Sequence, residues 1–560
     1  MKKLSLTLLL TLGLMATFFT SCDDEDDPDP DTTPSITSTS PSSGPEGTTV
    51  TISGSNFGDS PSVSFGSTSA TVSSSTTSSI TTTVPSGLSV GDVDVTVTAG
   101  GETSNAVTFE VTEGDTEGPA TVYITDDDLV AGETYEWTAD NEYFLTGLVY
   151  VEDGAVLNIE EGTTVRFTAE TGNDNTSALI ISQGAQIQAV GTAENPIIFT
   201  SEADTVNAGL TPFDFGQWGG LILLGRAPTE KGGATSNIAI EGISSDESRG
   251  VYGGDQPDDN SGTLQYVSIR YSGVGIAANS EIQGLTLGGV GSGTTIDHVD
   301  IYSSGDDGVE IFGGTVDISH VSVAFATDDA FDFDEGWRGN GQFLFAIQLE
   351  GSDEAYDQVG EWDGANPDDA SLFAAPNLFN ATLIGPGQSA TGAQRGLLLR
   401  DAFAGKLGNS IMEDFPGVAL QVEDREGDEN DSYGRLVTAT ADGYQLEILN
   451  NTFAVFGGAT DLASLVEATS GEDEGYTAQT EAVVAELTNN NNVFSADAVL
   501  SGISRITDGG LDPRPAATTD ATVTVPEGLE QVDYRGAFVP GEATWLSGWS
   551  TLSQLGYLVD

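Results

Sequence analysis

The residues richest in chemistry lie in two consecutive segments, IDHVDIYSSGDDGVEIFGGTVD from Ile296 and ISHVSVAFATDDAFDFDEGWRG from Ile318, which align at an offset of 22 residues. That offset lays His298 on His320, Asp306 on Asp328, Asp307 on Asp329 and Glu310 on Asp332, with Asp334 beside them. The chain has only these two histidines. Such a set is open to two chemistries. Oxygen-only ligands at this density suit Ca2+, which takes six to eight oxygens at about 2.3–2.6 Å. Imidazoles next to carboxylates and a tyrosine offer general acid–base catalysis, or a polar face for a sugar or an anionic group.

Positioning these side chains falls to the elements around them. A period near 22 with strand-like apolar alternation corresponds to one coil of a parallel β-solenoid. Val299, Ile301, Val321 and Val323 are expected to point inward and His298, Asp300, Tyr302 and His320 outward, with Tyr266, Ser268 and Arg270 joining from the coil before. Tyr266, His298 and His320 then form one exposed column, and Arg270, Asp300 and Arg338 complete the ligand-binding candidates. After the turn, Val309, Ile311, Phe331 and Phe333 point inward, which stacks Glu310 over Asp332 and Asp306-Asp307 over Asp328-Asp329. Neighbouring coils lie about 4.8 Å apart. Like charges facing each other at that spacing destabilise the sheet unless a cation binds or the pKa values rise. Asp306, Asp307, Glu310, Asp328, Asp329, Asp332 and Asp334 are therefore the metal-ligand candidates, with Ca2+ as the expected ion. Neither an EF-hand nor a nonapeptide repeat is present, and the competing reading is aspartates that cap turns through backbone N–H groups.

Composition narrows the partners. Sixteen basic groups face 87 acidic ones in 560 residues, a net charge of -71. This excess argues against nucleic acid and anionic lipid surfaces, and it is tolerable at high salt or where divalent cations neutralise carboxylates. Lys2 and Lys3 precede an apolar run from Leu4 to Phe19, the pattern of a secretory signal over residues 1–21. Phe19-Thr20-Ser21-Cys22 reads as a lipobox, with Cys22 the site of lipidation. As the only cysteine, it leaves no disulfide to the fold. The following DDEDDPDPD, within residues 22–33, is too charged and Pro-rich to fold and reads as a tether. An acidic run directly after a lipidated cysteine resembles the surface-export signal of Bacteroidota lipoproteins, which implies lipid anchoring in the outer membrane with exposure at the cell surface.

Residues 34–112 are Ser/Thr/Gly-rich with short alternating runs, as in an antiparallel sandwich. Pro41, EGTTVTISGSNFG at Glu46, Val63-Ser64-Phe65-Gly66 and Asn105-Ala106-Val107-Thr108-Phe109 resemble an IPT/TIG domain, an immunoglobulin-like module. A linker and N-terminal cap are expected over 113–144, stacked coils over 145–450 and a capping region over 451–560, where DLASLVEATS and TAQTEAVVAEL have helical spacing. The coils look like a right-handed parallel β-helix of the pectin-lyase type. GQWGGLILLGRAP at Gly216, FGGT at Phe312, LDPRPAA at Leu511 and the closing TWLSGW at Thr544 resemble Bacteroidota surface β-helix proteins. The expected fold is all-β: an immunoglobulin-like sandwich, then the β-helix with a mixed C-terminal cap.

The leading functional expectation is a non-catalytic, lipid-anchored surface protein that binds a polysaccharide or surface protein, with Ca2+ as cofactor. A polysaccharide lyase or glycoside hydrolase on the outer face of the β-helix is the enzymatic alternative. A lyase needs a cation and a base such as His298, His320, Tyr266, Arg270 or Arg338, and a hydrolase needs paired carboxylates. A structural adhesion or surface-layer component is the third reading.

Overall fold

The computed structural model describes residues 33–559 apart from 59, 113–119, 169–175, 206–208, 232–237, 278–279, 351–357, 366–370, 392–394, 426–429, 441, 470–476 and 522. The signal segment, Cys22 and the acidic tether lie outside the described residues. The chain divides into two compact units, one ending at Gly118 and one beginning at Pro119.

In the first unit, alternation places every second side chain in a common core. One sheet orders the strands Ser35–Ser40, Thr49–Ser55, Ser79–Thr83 and Val72–Ser75; the other is built around Gly91–Ala99. Ile36, Val50, Ile52, Phe65, Ile80, Val95 and Phe109 fill the space between them. Asn105 closes the sandwich by accepting from the Ile36 N–H at 2.9 Å and donating to its carbonyl at 3.0 Å. This is the expected immunoglobulin-like sandwich.

The second unit is a right-handed parallel β-helix with three faces. Two ladders join in one 19-stranded sheet, and a separate ten-stranded sheet forms the third face. Coiling begins earlier than expected, because Ala120–Ile124 and Thr134–Trp137 already pair in parallel with the next coil. It also continues past Asn450, through Thr452–Phe456, Val466–Thr469 and Val493–Ser495. The expected boundaries at 145 and 450 therefore fall inside the ladders. Of the two expected helices only Thr477–Asn489 forms; DLASLVEATS gives a 3-10 turn at Leu462–Leu465 and then a strand. Asp461 caps that turn, and Val466 and Ala468 continue the ladder. The helix closes the end by burying Val483 and Leu487 against the solenoid core.

Where the two ladders of the large sheet meet, the chain turns through one residue with positive φ per coil. Tyr266, His298, His320, Phe343, Asn380, Asn409, Asn450 and Asn491 occupy this corner, with φ between 50° and 58°. Asn and His tolerate that region better than most residues. The inward residues consequently skip by three and then by two, as in Ile296, Val299 and Ile301. In the FGGT motif, Gly313 and Gly314 have φ of 66° and 86°, and a Cβ on Gly314 would meet the Val290 carbonyl at 2.4 Å.

Residues 499–559 do not cap the end. They run back along the side of the solenoid, held by coil side chains that pair with their backbone. Glu413 accepts from the N–H groups of Val499 and Leu500, Asn380 donates to the Tyr534 carbonyl at 2.9 Å, and Asp300 accepts from the Thr551 N–H at 2.9 Å. The expectation of a simple cap is corrected on this point: the outer polar groups of the coils bind a strap.

Candidate acidic cation site

The third face brings the carboxylates together. Val309–Phe312 pairs with Phe331–Asp334 in the register Val309↔Phe331, Glu310↔Asp332, Ile311↔Phe333 and Phe312↔Asp334. Ile311 and Phe333 enter the core, so Glu310 and Asp332 face out as neighbours on adjacent coils. Outward does not mean exposed here. Glu310 is only 6% exposed and Asp307 7%. A segment inserted before Gly262–Arg270 lies over the preceding coils, packing Ile240, Ile243 and Tyr252 on Ile222, Leu224 and Phe312. Between this cover and the sheet lies an open cleft of about 570 Å3, lined by Lys231, Glu241, Tyr252, Glu310, Asp334 and Glu335 among others.

One oxygen from each of Asp307, Glu310 and Asp332 lies within 4.8 Å of the other two. Glu310 Oε2 and Asp332 Oδ1 are buried without a hydrogen-bond partner. Burial, then Asp307 and Glu241, pushes the Glu310 carboxyl well above its usual range. Asp332 is raised by burial and by Glu310, and Asp307 by burial and by Asp306 and Asp328. Asp306 is pushed up to about 7 by burial, Asp328 and Glu281. Glu241 likewise rises to about 7, through burial and its contact with Glu281. An oxygen-only set with orphaned buried atoms and mutual repulsion fits a hard divalent cation.

The seven acidic candidates thus separate. Asp307, Glu310 and Asp332 converge. Asp306 and Asp328 act on one another beside them. Asp329 belongs to a turn ladder: Asp307 Oδ1 accepts from the Asp329 N–H at 2.8 Å, and Asp329 Oδ1 from the Gln358 N–H at 3.1 Å. The turn-capping reading therefore holds for these two residues, although Asp307 also faces the cluster. Asp334 sits at the rim, 3.4 Å from Lys231 Nζ, which also meets Glu335 at 3.1 Å. Sequence reasoning missed Glu241 and Glu281, which lie outside the repeat, and the cations Lys231 and Arg400. Arg400 aligns with Asp363 on the same face and pairs with it at 2.7 Å.

The histidine column forms, but it is not exposed. Tyr266 stacks on His298 at 4.4 Å, His298 on His320 at 4.3 Å and His320 on Phe343 at 4.8 Å. From the strap, Trp549 meets the Tyr266 ring edge-on at 5.4 Å and Trp545 meets His320 likewise at 5.4 Å. Asp297, also missed, accepts from or pairs with Nδ1 of both histidines at 2.9 Å. Against the burial that would raise it, these two contacts hold its carboxyl below the usual range. A metal ion would have to lie in both imidazole planes, yet the rings are only 15° from parallel and stacked, so they do not converge on one ion. Asp300 and Arg270 are buried under the strap, with Arg270 Nη2 bound to Gln554 Oε1 at 2.7 Å. Arg338 takes no part in this column; it lies over the Tyr444 ring at 4.3 Å and the Phe373 ring at 4.8 Å.

A pectate-lyase-like β-helix domain model matches residues 130–490, well over half of the sequence. The chain belongs to the pectate-lyase-like β-helix family. An IPT/TIG domain model matches residues 34–111. Comparison with curated proteins found no match. Solved structures similar to parts of the chain include a γ-CGTase from alkalophilic Bacillus clarkii, 31% identical over 18% of this chain and 14% of that one, with a TM-score of 0.15. Auxiliary nutrient binding proteins from Bacteroides thetaiotaomicron and Bacteroides ovatus are 24% and 26% identical, each over 15% of this chain and 22% of theirs, with TM-scores of 0.14 and 0.13. The chain thus spans less than a quarter of the length of these structures.

Proposed function

We propose that this β-helix protein is displayed at the cell surface, lipid-anchored through Cys22 in the outer membrane, and binds glycan or another extracellular component through a Ca2+ site on its third face. The observation that carries the cation reading is the pair of orphaned buried oxygens, Glu310 Oε2 and Asp332 Oδ1, grouped with Asp307. Three carboxylates more than neutralise a divalent ion and leave positions for water and for the oxygens of a ligand entering the open cleft, which Glu310 lines. The anchoring rests on the lipobox and acidic tether of the sequence. The test is calorimetric titration of EDTA-stripped protein with CaCl2, followed by retention on immobilised polysaccharides with and without calcium. Saturable calcium uptake that Glu310→Gln removes, together with retention that calcium strengthens in the parent chain and not in that variant, supports the reading; the absence of saturable calcium uptake refutes it.

A hydrolase is the second reading, favoured by one observation. Asp306, pushed up to about 7 by burial and by Asp328, keeps a substantial protonated fraction near neutrality, as a general acid needs. Release of reducing ends from a polysaccharide panel, lost in Asp306→Asn, decides for it. Of the bases nominated for a lyase, Arg270 is buried beneath the strap, and Tyr266, His298 and His320 are partly covered by its Trp545 and Trp549.

A further inference from the structure

Away from the acidic cleft, three large apolar side chains held out in water gather on one rim. Phe213 is 60% exposed, Ile506 65% and Leu555 40%. They come from distant parts of the sequence and line a single pocket of about 490 Å3 between the loop at Phe213 and the strap. Apolar side chains converging on a concavity mark a binding site rather than scattered surface.

The rim is fixed in place. Asp214 Oδ2 accepts from the Thr211 N–H at 2.7 Å and from its hydroxyl at 2.8 Å, and Ser303 donates to the Pro212 carbonyl at 2.9 Å. These bonds hold Phe213 at the loop tip. Opposite, Arg505 donates through Nε to the Gln348 carbonyl at 2.8 Å and through Nη2 to Asp414 at 2.8 Å. Nη2 also donates to the Gly385 carbonyl, and the guanidinium so fixed belongs to a residue that lines the pocket. Glu350 lines it as an acceptor, and Tyr557, whose hydroxyl meets that of Tyr302 at 3.0 Å, supplies a further aromatic wall.

We propose that this pocket binds a neutral sugar ring of a polysaccharide. A pyranose presents C–H faces that suit Phe213, Ile506 and Leu555, and hydroxyls that suit one guanidinium donor and one carboxylate acceptor. An acyl chain leaves both polar groups without use, and an anionic sugar meets Glu350. The proposal goes beyond the function proposed above: neither calcium nor the acidic cleft takes part.

The experiment is calorimetry in EDTA with cellohexaose, laminarihexaose, mannohexaose, galactohexaose and laurate, on the full chain and on the Phe213→Ala and Tyr123→Ala variants. At least one hexasaccharide should bind the parent chain, Phe213→Ala should weaken it tenfold or more, and Tyr123→Ala, an exposed aromatic outside the pocket, should bind as the parent does. Circular dichroism and melting of Phe213→Ala should match the parent, since this side chain is largely in water. Binding of none of the four, binding unchanged in Phe213→Ala, or uptake of laurate in their place overturns the sugar site. Because calcium is excluded, none of these outcomes bears on the cation site.

Discussion

Glu310 and Asp332 are register partners on adjacent coils, and each keeps one buried carboxylate oxygen without a hydrogen-bond partner. Two like charges opposed across a parallel ladder oppose folding. The geometry is therefore that of a site that repels itself until something positive enters, and the nearest lysine, Lys231, is engaged with Asp334 and Glu335 instead.

Calcium should stabilise the protein in proportion to its occupancy, by about 2.7 kcal/mol at a free concentration roughly 100 times Kd. Glu310→Gln should abolish this gain while raising the melting temperature of the EDTA-treated protein, because it removes one repelling charge. Thermal melts of both proteins with and without calcium check it.

The pH dependence has a definite sign. Asp306 and Glu241 are raised to about 7 in the folded protein, from ordinary values near 4. The folded state therefore holds more protons than the unfolded one between those limits. Stability from these two groups is fully present below about pH 4 and is lost as pH rises through about 7. In EDTA the contribution of the cluster should fall across this window. With calcium the fall should disappear, since the cation takes the place of the protons. Melting curves of the parent chain and Asp306→Asn at pH 5, 6, 7 and 8 measure it, and the variant should lose part of the slope.

Asn fills the corner slot of His298 in later coils, at the same φ. His298→Asn should therefore retain the fold, whereas His298→Val should cost on the order of 1–3 kcal/mol, because a β-branched residue is strained at φ of 55°. Denaturant midpoints of the two variants distinguish a backbone role for this histidine from a ligand role.

Asp300 is fully buried and relies on the strap, accepting from the Thr551 N–H and hydroxyl and from Ser268. Thr551→Val removes one of these bonds and should destabilise the protein by about 1–3 kcal/mol, read as a shift in the urea midpoint. No change would mean that the strap does not depend on this contact.

The repeat and its stacking were legible in the sequence because parallel pairing demands a fixed register. An offset of 22 residues sufficed to place Glu310 over Asp332. The exposure of the histidine column was not, because what covers it, Trp545 and Trp549, arrives from more than 200 residues away in the chain. Glu241 and Glu281 were hidden for the same reason, as they join the cluster from outside the repeat. One local signal was available and more telling than alternation: the three-then-two spacing of Leu264, Val267 and Ile269, repeated in Ile296, Val299 and Ile301, marks a corner at the residue just before the second of each three, Tyr266 and His298.

Diffraction from crystals of the protein grown in calcium, with anomalous data, decides whether the third face holds a cation. A bound ion gives a peak about 2.3–2.6 Å from carboxylate oxygens of Asp307, Glu310 and Asp332, which is the expected result. A map without such a peak, with Glu310 and Asp332 sharing a proton across a short hydrogen bond, would contradict it.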